Sequence, residues 1–196
     1  MMKRDIELLF ELGMLRHLPR QWNRFGGINF ASLAEHHFRV AWIALLISKY
    51  EGGDNEKILK MALAHDIAES RTNDVDYIAR QYTKRNEELA LSDMLQDTKL
   101  NDEFTELMHE YEERTSLEAK IVKDADNLDV DFELQEQAAN GVSIGEVWGD
   151  NRKTIVREKL YTETAKNLFD ELKKSNPHDW HHTSPRNRTN GGDWKK

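Results

Sequence analysis

Apolar residues recur along most of this chain at the spacing of an amphipathic helix, and no segment alternates with the period of two that a half-buried strand requires. Residues 3–17 set Ile6, Leu9, Phe10, Gly13 and Met14 at helical spacing, and Pro19 stops the run. Ser32-Leu33-Ala34-Glu35 is a capping box. It opens a second helix that runs through Ile47 and ends before Gly52-Gly53. That helix is apolar on most faces, which predicts a central position. Asp54-Asn55-Glu56 starts a third helix, whose end carries Met61-Ala62-Leu63-Ala64-His65-Asp66-Ile67-Ala68-Glu69.

A polar loop follows at 70–74, with a short helix expected over 75–82 and a strongly charged one over 87–96. Asn101 or Asp102 caps another, carrying Phe104, Leu107, Met108 and Tyr111. Thr115-Ser116-Leu117-Glu118 reads as a second capping box ahead of a long helix over 119–139, which Asn140-Gly141 ends. Residues 141–151 read as a loop carrying Trp148, and 152–173 as a last helix ended by Asn176-Pro177. The expected fold class is all-α: one bundle of six or seven helices over residues 1–175, followed by a polar, mobile tail over 176–196. Trp180 is a candidate to dock back onto the bundle. His178, His181 and His182 are candidates only for adventitious metal binding.

Composition narrows the function. The 196 residues are 33% charged, so the helices have charged outer faces. No apolar run reaches the roughly 18 residues of a membrane span, and acidic residues interrupt the N-terminal apolar positions, against a secretory signal. There is no cysteine, which removes disulfides and thiolate metal sites and fits a soluble, cytoplasmic protein. A net charge of −8 argues against general nucleic-acid binding, while a small phosphate ligand stays possible beside a bound cation. The chain has neither a phosphate-cradling P-loop nor a Gly-x-Ser-x-Gly elbow.

Chemistry-bearing residues concentrate in four places. His65 and Asp66 sit at the end of an apolar helix, with Glu69 one turn on; a His beside an Asp is costly there unless both are paired. His36 and His37 open the second helix about 100° apart, so at most one shares a site with His65. Four aspartates, Asp124, Asp126, Asp129 and Asp131, crowd the long helix. Most are expected in solvent, and Asp126, beside Ala125 and four residues from Val122, is the one able to point inward. Arg20 and Trp22 lie in a basic, aromatic loop over 16–27, where an Arg can clamp phosphate and a Trp can stack on a base; the alternative is a Trp covering the core with arginines around it. Two histidines with two carboxylates suit one divalent first-row ion: Mn, Co, Ni, Fe or Zn.

In this order, His … His-Asp … Asp on an all-α chain resembles the HD-domain metallophosphohydrolase superfamily. Ala34-Glu35-His36 resembles its first motif, which selects His36 over His37. His65-Asp66 with Glu69 and Asp74 resembles the second. Glu106-Leu107, Glu110-Tyr111-Glu112, Ser116-Leu117-Glu118-Ala119-Lys120 and Val122-Lys123-Asp124-Ala125-Asp126 resemble the third, and Leu18-Pro19-Arg20 with Trp22 the N-terminal Arg and Trp. The likeness spans about residues 6–173 and points to the 5′-deoxynucleotidase branch, the YfbR-like and HD-domain-containing protein two-like group.

The resemblance implies an HD domain over 1–175 in which His36, His65, Asp66 and Asp126 ligate one metal ion. It implies catalytic roles for Glu69, near the water, and Asp74, near the nucleotide. Arg20 and Trp22 would bind substrate, and the chain would form a homodimer. Lys123, three residues before Asp126, can reach a phosphate or be a surface lysine. Further histidines for a dinuclear site are lacking, since the interval holds only His109 on a charged helix. Arg71 and Arg80 are the few cations flanking the motifs, which favours a monophosphate over the triphosphate or pyrophosphate that the same site could hydrolyse. A non-catalytic nucleotide or metal sensor is the third reading, against which the presence of both Glu69 and Asp74 weighs.

Overall fold

The computed structural model describes residues 2–26 and 30–183. Gly27, at the end of the basic, aromatic loop, and residues 184–196 of the expected tail lie outside the described residues. Helix α1 (Met2–Leu12) tightens into a 3-10 turn, Gly13–His17, and stops where Leu18 becomes extended ahead of Pro19. A one-turn helix, α2 (Asn23–Gly26), occupies part of the expected loop. Helix α3 (Leu33–Glu51) has both halves of its capping box. The Glu35 N–H donates to Ser32 Oγ at 3.3 Å, and the Ser32 N–H donates to the Glu35 carboxylate at 2.7 Å. Gly52 and Gly53, at φ +88° and +98°, make the left-handed turn into α4 (Asn55–Ala64). Asp54 caps α4 by accepting from the Glu56 and Lys57 N–H groups.

Short pieces follow: α5 (Glu69–Thr72) and a 3-10 turn, Ala79–Gln81, where a helix over 75–82 was expected. Asn86 caps α6 (Glu87–Leu95). Helix α7 (Asn101–Glu113) begins at Leu100 with no side-chain cap, so neither Asn101 nor Asp102 plays that part. Ser116 alone caps α8 (Leu117–Ala139). Glu118 does not complete a box with Thr115, because its carboxylate accepts from the Asp54 N–H at 3.0 Å and ties α8 to the start of α4.

Two corrections fall after α8. Residues read as a loop hold α9 (Ile144–Asn151). The expected single helix over 152–173 is divided into a π-helical turn, Arg152–Val156, a short α10 (Arg157–Lys159) and α11 (Glu163–Leu172), with Leu160 extended between the last two. Last comes α12 (Asp179–His182), on which Trp180 is exposed rather than docked. The described residues contain no strand, and these one- and two-turn pieces raise the helix count above six or seven.

Helix α3 packs along α8 and α4, and the core runs between them through Val40, Ala44, Ile47, Ile58, Met61 and Leu128, all at 0% exposure. One face of α3 is nevertheless open: Phe38, Trp42, Leu46 and Tyr50, four residues apart, are 46–75% exposed. A second, smaller cluster of Phe30, Val130, Leu134 and Ile144 seats α9.

The aspartates of α8 are the largest departure from expectation, since Asp124, Asp129 and Asp131 are all at 0% exposure. Such carboxylates persist only with partners, and each has them. Asp124 accepts from the backbone N–H groups of Tyr161 and Thr162, each at 2.8 Å, and from Thr162 Oγ1. Thr162 in turn caps α11, so Asp124 causes the break in the last helix. Asp131 accepts from Arg152 Nε at 3.1 Å and Lys173 Nζ at 3.0 Å, pinning both ends of the C-terminal segment. Asp131→Ala leaves the Arg152 guanidinium, 11% exposed, without its counter-ion. We expect a loss of about 3 kcal/mol, a melting temperature lower by roughly 6–12 °C. Calorimetry checks this, and an unchanged melting temperature would show the pair to be idle.

Candidate metal centre and active site

Four side chains from three helical segments converge. His36 comes from the first turns of α3. His65 and Asp66 follow directly on α4, where the helix gives way to turns, and Asp126 comes from α8. Their ligand atoms all lie within 4.8 Å of one another. His36 Nε2 is 3.1 Å from His65 Nε2, 3.4 Å from Asp126 Oδ1 and 3.6 Å from Asp66 Oδ2. His65 Nε2 is 3.3 Å from Asp66 Oδ2 and 4.0 Å from Asp126 Oδ1. Donors about 2.1 Å from a shared first-row ion stand roughly 3–4 Å apart, so these separations fit one.

The hydrogen bonds behind the imidazoles fit too. His65 Nδ1 contacts the Ala62 carbonyl at 2.9 Å, and His36 Nδ1 contacts Asp129 Oδ2 at 2.6 Å. These partners fit a proton on Nδ1 of each ring and leave Nε2 as the atom that would face an ion, which is how outer partners prepare histidine ligands. Arg39 Nε holds the other oxygen of Asp129. Both imidazoles are buried, whereas Asp66 and Asp126 keep 26% and 14% of their side chains exposed.

His37 is buried as well, its ring centroid 4.7 Å from that of His65, yet its Nε2 has no hydrogen-bond partner among the described residues and stands outside the four-donor group. Burial holds its pKa well below the ordinary imidazole value.

Charge supports the fit. Burial and the Arg20 guanidinium pull the His36 pKa down, but contacts with Asp126, Asp129 and Asp66 outweigh them and raise it to about 10. Asp126 and Asp66 stay ionised despite burial: Lys123 and His36 hold Asp126 down, and His65 and His36 hold Asp66 down. With no ion present, a proton on His36 thus serves as the cation of the cluster. A metal must expel that proton. Because pH 6–9 lies below the His36 value, apparent metal affinity should climb about tenfold per pH unit there, with about one proton released per ion. Calorimetric titration in buffers of different ionisation enthalpy reads this directly; pH-independent binding without proton release would contradict it.

The remaining predicted residues ring the cluster. Arg20, 4% exposed, sets Nη1 3.8 Å from Asp66 and Nε 3.4 Å from Asp74. Both distances are long for hydrogen bonds, and Arg20 Nε and Nη1 have no such partner among the described residues. Asp74 accepts from the Gln21 N–H at 3.1 Å, and burial pushes its pKa up despite Arg20. Glu69, 6% exposed, holds Arg85 through Oε1 and leaves Oε2 buried without a partner. Burial, then the Asp66 and Asp74 charges, push its pKa up to about 9.

Lys123 donates to Asp126 Oδ2 at 2.7 Å, leaving Oδ1 to face the histidines. Trp22 is half-buried, edge-on to Trp148 at 4.9 Å. Phe25 stacks on Tyr77 and meets Trp148 edge-on, so α9 helps build an aromatic wall beside Trp22. Arg71 is spent on Glu11, with bonds of 2.6 and 3.0 Å, and Arg80 on the Val75 carbonyl. His109 is exposed.

The profile of the HD domain matches residues 12–169. The chain belongs to the HD-domain family. Among similar solved structures, a conserved hypothetical protein from Pyrococcus furiosus is 32% identical, with TM-score 0.72, covering 87% of this chain and 99% of that one. The PH0347 protein from Pyrococcus horikoshii is 28% identical, with TM-score 0.71, covering 86% and 98%. A curated relative, the 5′-deoxynucleotidase HDDC2 of Bos taurus, is 31% identical over 67% of this chain and 66% of its own length. Another, the 5′-deoxynucleotidase hdd1 of Schizosaccharomyces pombe, is 31% identical over 61% and 65%. The chain thus spans just under two thirds of these curated relatives.

Two further residues support the site of this HD domain without a local mark in the sequence. Asp129 shares a helical face with Asp126, but its partners His36 and Arg39 lie on another helix. Arg85 reaches Glu69 from a loop, and no spacing rule connects them.

Proposed function

We propose that this protein is a metal-dependent phosphohydrolase that removes the 5′-phosphate from (deoxy)nucleoside monophosphates. One observation carries the reading. The four clustered donor atoms are flanked by two buried carboxylates, Glu69 and Asp74, and by Arg20 nitrogens that have no hydrogen-bond partner among the described residues. The names of the curated relatives supply the substrate class.

His36, His65, Asp66 and Asp126 hold one divalent ion, with Mn, Co, Ni, Fe or Zn suiting the mixed donor set. When bound, that ion supplies Lewis-acid polarisation of a phosphoryl oxygen and of water. Arg20 donates to the phosphate and orients it for in-line attack. Glu69, through Oε2, accepts the proton of the attacking water. Asp74, the second buried carboxyl, gives a proton to the leaving 5′-oxygen as the phosphorus–oxygen bond breaks. The products are a (deoxy)nucleoside and inorganic phosphate. Trp22 packs on sugar or base, with Trp148 behind it. Lys123 steadies Asp126, and any contact it makes with phosphate is shared with that task.

The engagement of Arg71 and Arg80 elsewhere supports a monophosphate substrate over a polyphosphate. Product analysis tests this: inorganic phosphate from nucleoside monophosphates is expected, while pyrophosphate or triphosphate release from nucleoside triphosphates would overturn it.

No helix among the described residues is long and apolar enough to cross a membrane. A cytoplasmic setting accords with a chain that has no cysteine. A homodimer accords with the open apolar row of Phe38, Trp42, Leu46 and Tyr50 along α3. Sedimentation of the wild type against Trp42→Glu reads the latter, and a monomeric wild type would remove it.

A further inference from the structure

Arg85 belongs to no motif, yet it makes the one hydrogen bond that Glu69 forms through its side chain among the described residues. Its Nη1 donates to Glu69 Oε1 at 3.0 Å and to the Asn73 carbonyl at 2.9 Å, while Nη2 pairs with Glu87 at 2.7 Å. The side chain is 16% exposed, and the bond to Glu69, whose side chain is 8% exposed, is the sheltered one. Asn73 stands at φ +60°, in the left-handed region that non-glycine residues seldom adopt. Its carbonyl immediately precedes Asp74. A single guanidinium nitrogen therefore closes the base of the loop from 73 to 85 and fixes one oxygen of Glu69, and the free oxygen, Oε2, is the buried one without a partner.

We propose that Arg85 is the positioning residue of the active site, orienting Glu69 so that Oε2 alone faces the attacking water and anchoring the turn that carries Asp74. The inference rests on the reading of Glu69 as proton acceptor given above. The two acids have separate arginines. Arg20 pairs with Asp74 at 3.4 Å without a hydrogen bond, while Arg85 serves Glu69. The charged groups around Glu69 are Asp66 and Asp74, which favour its protonated form, and Arg20 and Arg85, which favour the carboxylate. Removing Arg85 takes away the constraint on rotation of the carboxyl, so that Oε2 faces the attacking water less often.

The test compares wild type, Glu69→Gln, Arg85→Lys and Arg85→Ala as full-length, metal-loaded protein acting on a deoxynucleoside monophosphate. Metal content and melting temperature are measured for each. Arg85→Ala should lower kcat by about 10–100-fold with KM within about threefold. Metal content should be unchanged. Added guanidinium should recover part of the rate, and Arg85→Lys should fall between. If Arg85→Ala does not fold, a kcat loss at unchanged KM in Arg85→Lys carries the test. Wild-type kcat in the folded variant, a loss that guanidinium does not recover, or a loss of rate that merely follows lost metal, overturns the proposal. Wild-type kcat in Glu69→Gln would instead overturn the reading of Glu69 itself, so the two failures are distinguishable.

Discussion

Glu69→Gln should lower kcat by about 10²–10⁴-fold while leaving the bound metal in place. That range is what a positioned general base contributes. Gln keeps the volume of Glu and can still accept from Arg85, but it cannot take a proton from water. The same variant should gain stability when metal-free. The Glu69 pKa is raised to about 9 in the folded protein by burial and by the Asp66 and Asp74 charges. A carboxyl with a raised folded pKa favours the fold fully below its ordinary value, near 4.5, and that contribution is lost as pH rises toward 9. Removing the acid should therefore stabilise the metal-free protein around pH 8, by on the order of 1–3 kcal/mol, and make little difference near pH 4. Functional sites commonly sacrifice stability in this way. Thermal melts at the two pH values, paired with phosphate-release assays, check both halves. Full activity with normal metal content would remove Glu69 from proton transfer.

His65→Ala should abolish turnover, with a fall of about 10³-fold or more, equivalent to at least about 4 kcal/mol of transition-state stabilisation. The mutation removes one of four donors and opens a buried gap beneath Asp66 and Asp126. Two consequences separate this from simple unfolding. Added Mn²⁺ or Co²⁺ should raise the melting temperature of the wild type, since an ion that binds only the folded state stabilises it. The same addition should leave His65→Ala nearly unmoved. An unaltered metal-dependent shift in His65→Ala would mean that the ion binds elsewhere.

Much of this molecule is legible in its sequence, and the rest is hidden for a common physical reason. The starts of α3 and α4 were legible because Ser32, Glu35 and Asp54 act within three residues of themselves. His36, His65, Asp66 and Asp126 could be singled out by motif order, and the fold gathers these four side chains. What could not be read depends on partners distant in sequence. Asp124, Asp129 and Asp131 look like a solvated face until Tyr161, Thr162, Arg39, Arg152 and Lys173 arrive from other segments to satisfy them. The last helix is broken at Leu160 because Asp124 captures the backbone of Tyr161 and Thr162 across 37 and 38 residues. Its apolar periodicity, which continues through the break, gives no hint of that. Helix α9 looked like a loop because glycines flank and interrupt it, and its order comes from seating Ile144 and Trp148 against Phe30, Trp22 and Phe25. Arg85 is the sharpest case, since an arginine in a polar loop carries no local mark of the carboxylate it serves.

The central claim is that this HD domain is a metal-dependent phosphohydrolase of nucleoside monophosphates. The most direct test strips the protein with chelator and restores Mn²⁺, Co²⁺, Ni²⁺, Zn²⁺ and Mg²⁺ one at a time. Inorganic phosphate release is then followed across a panel of deoxyribo- and ribonucleoside 5′-monophosphates. The account predicts no release from the stripped protein and restored release with at least one first-row ion. A folded, metal-loaded protein that releases no phosphate from any monophosphate would contradict it.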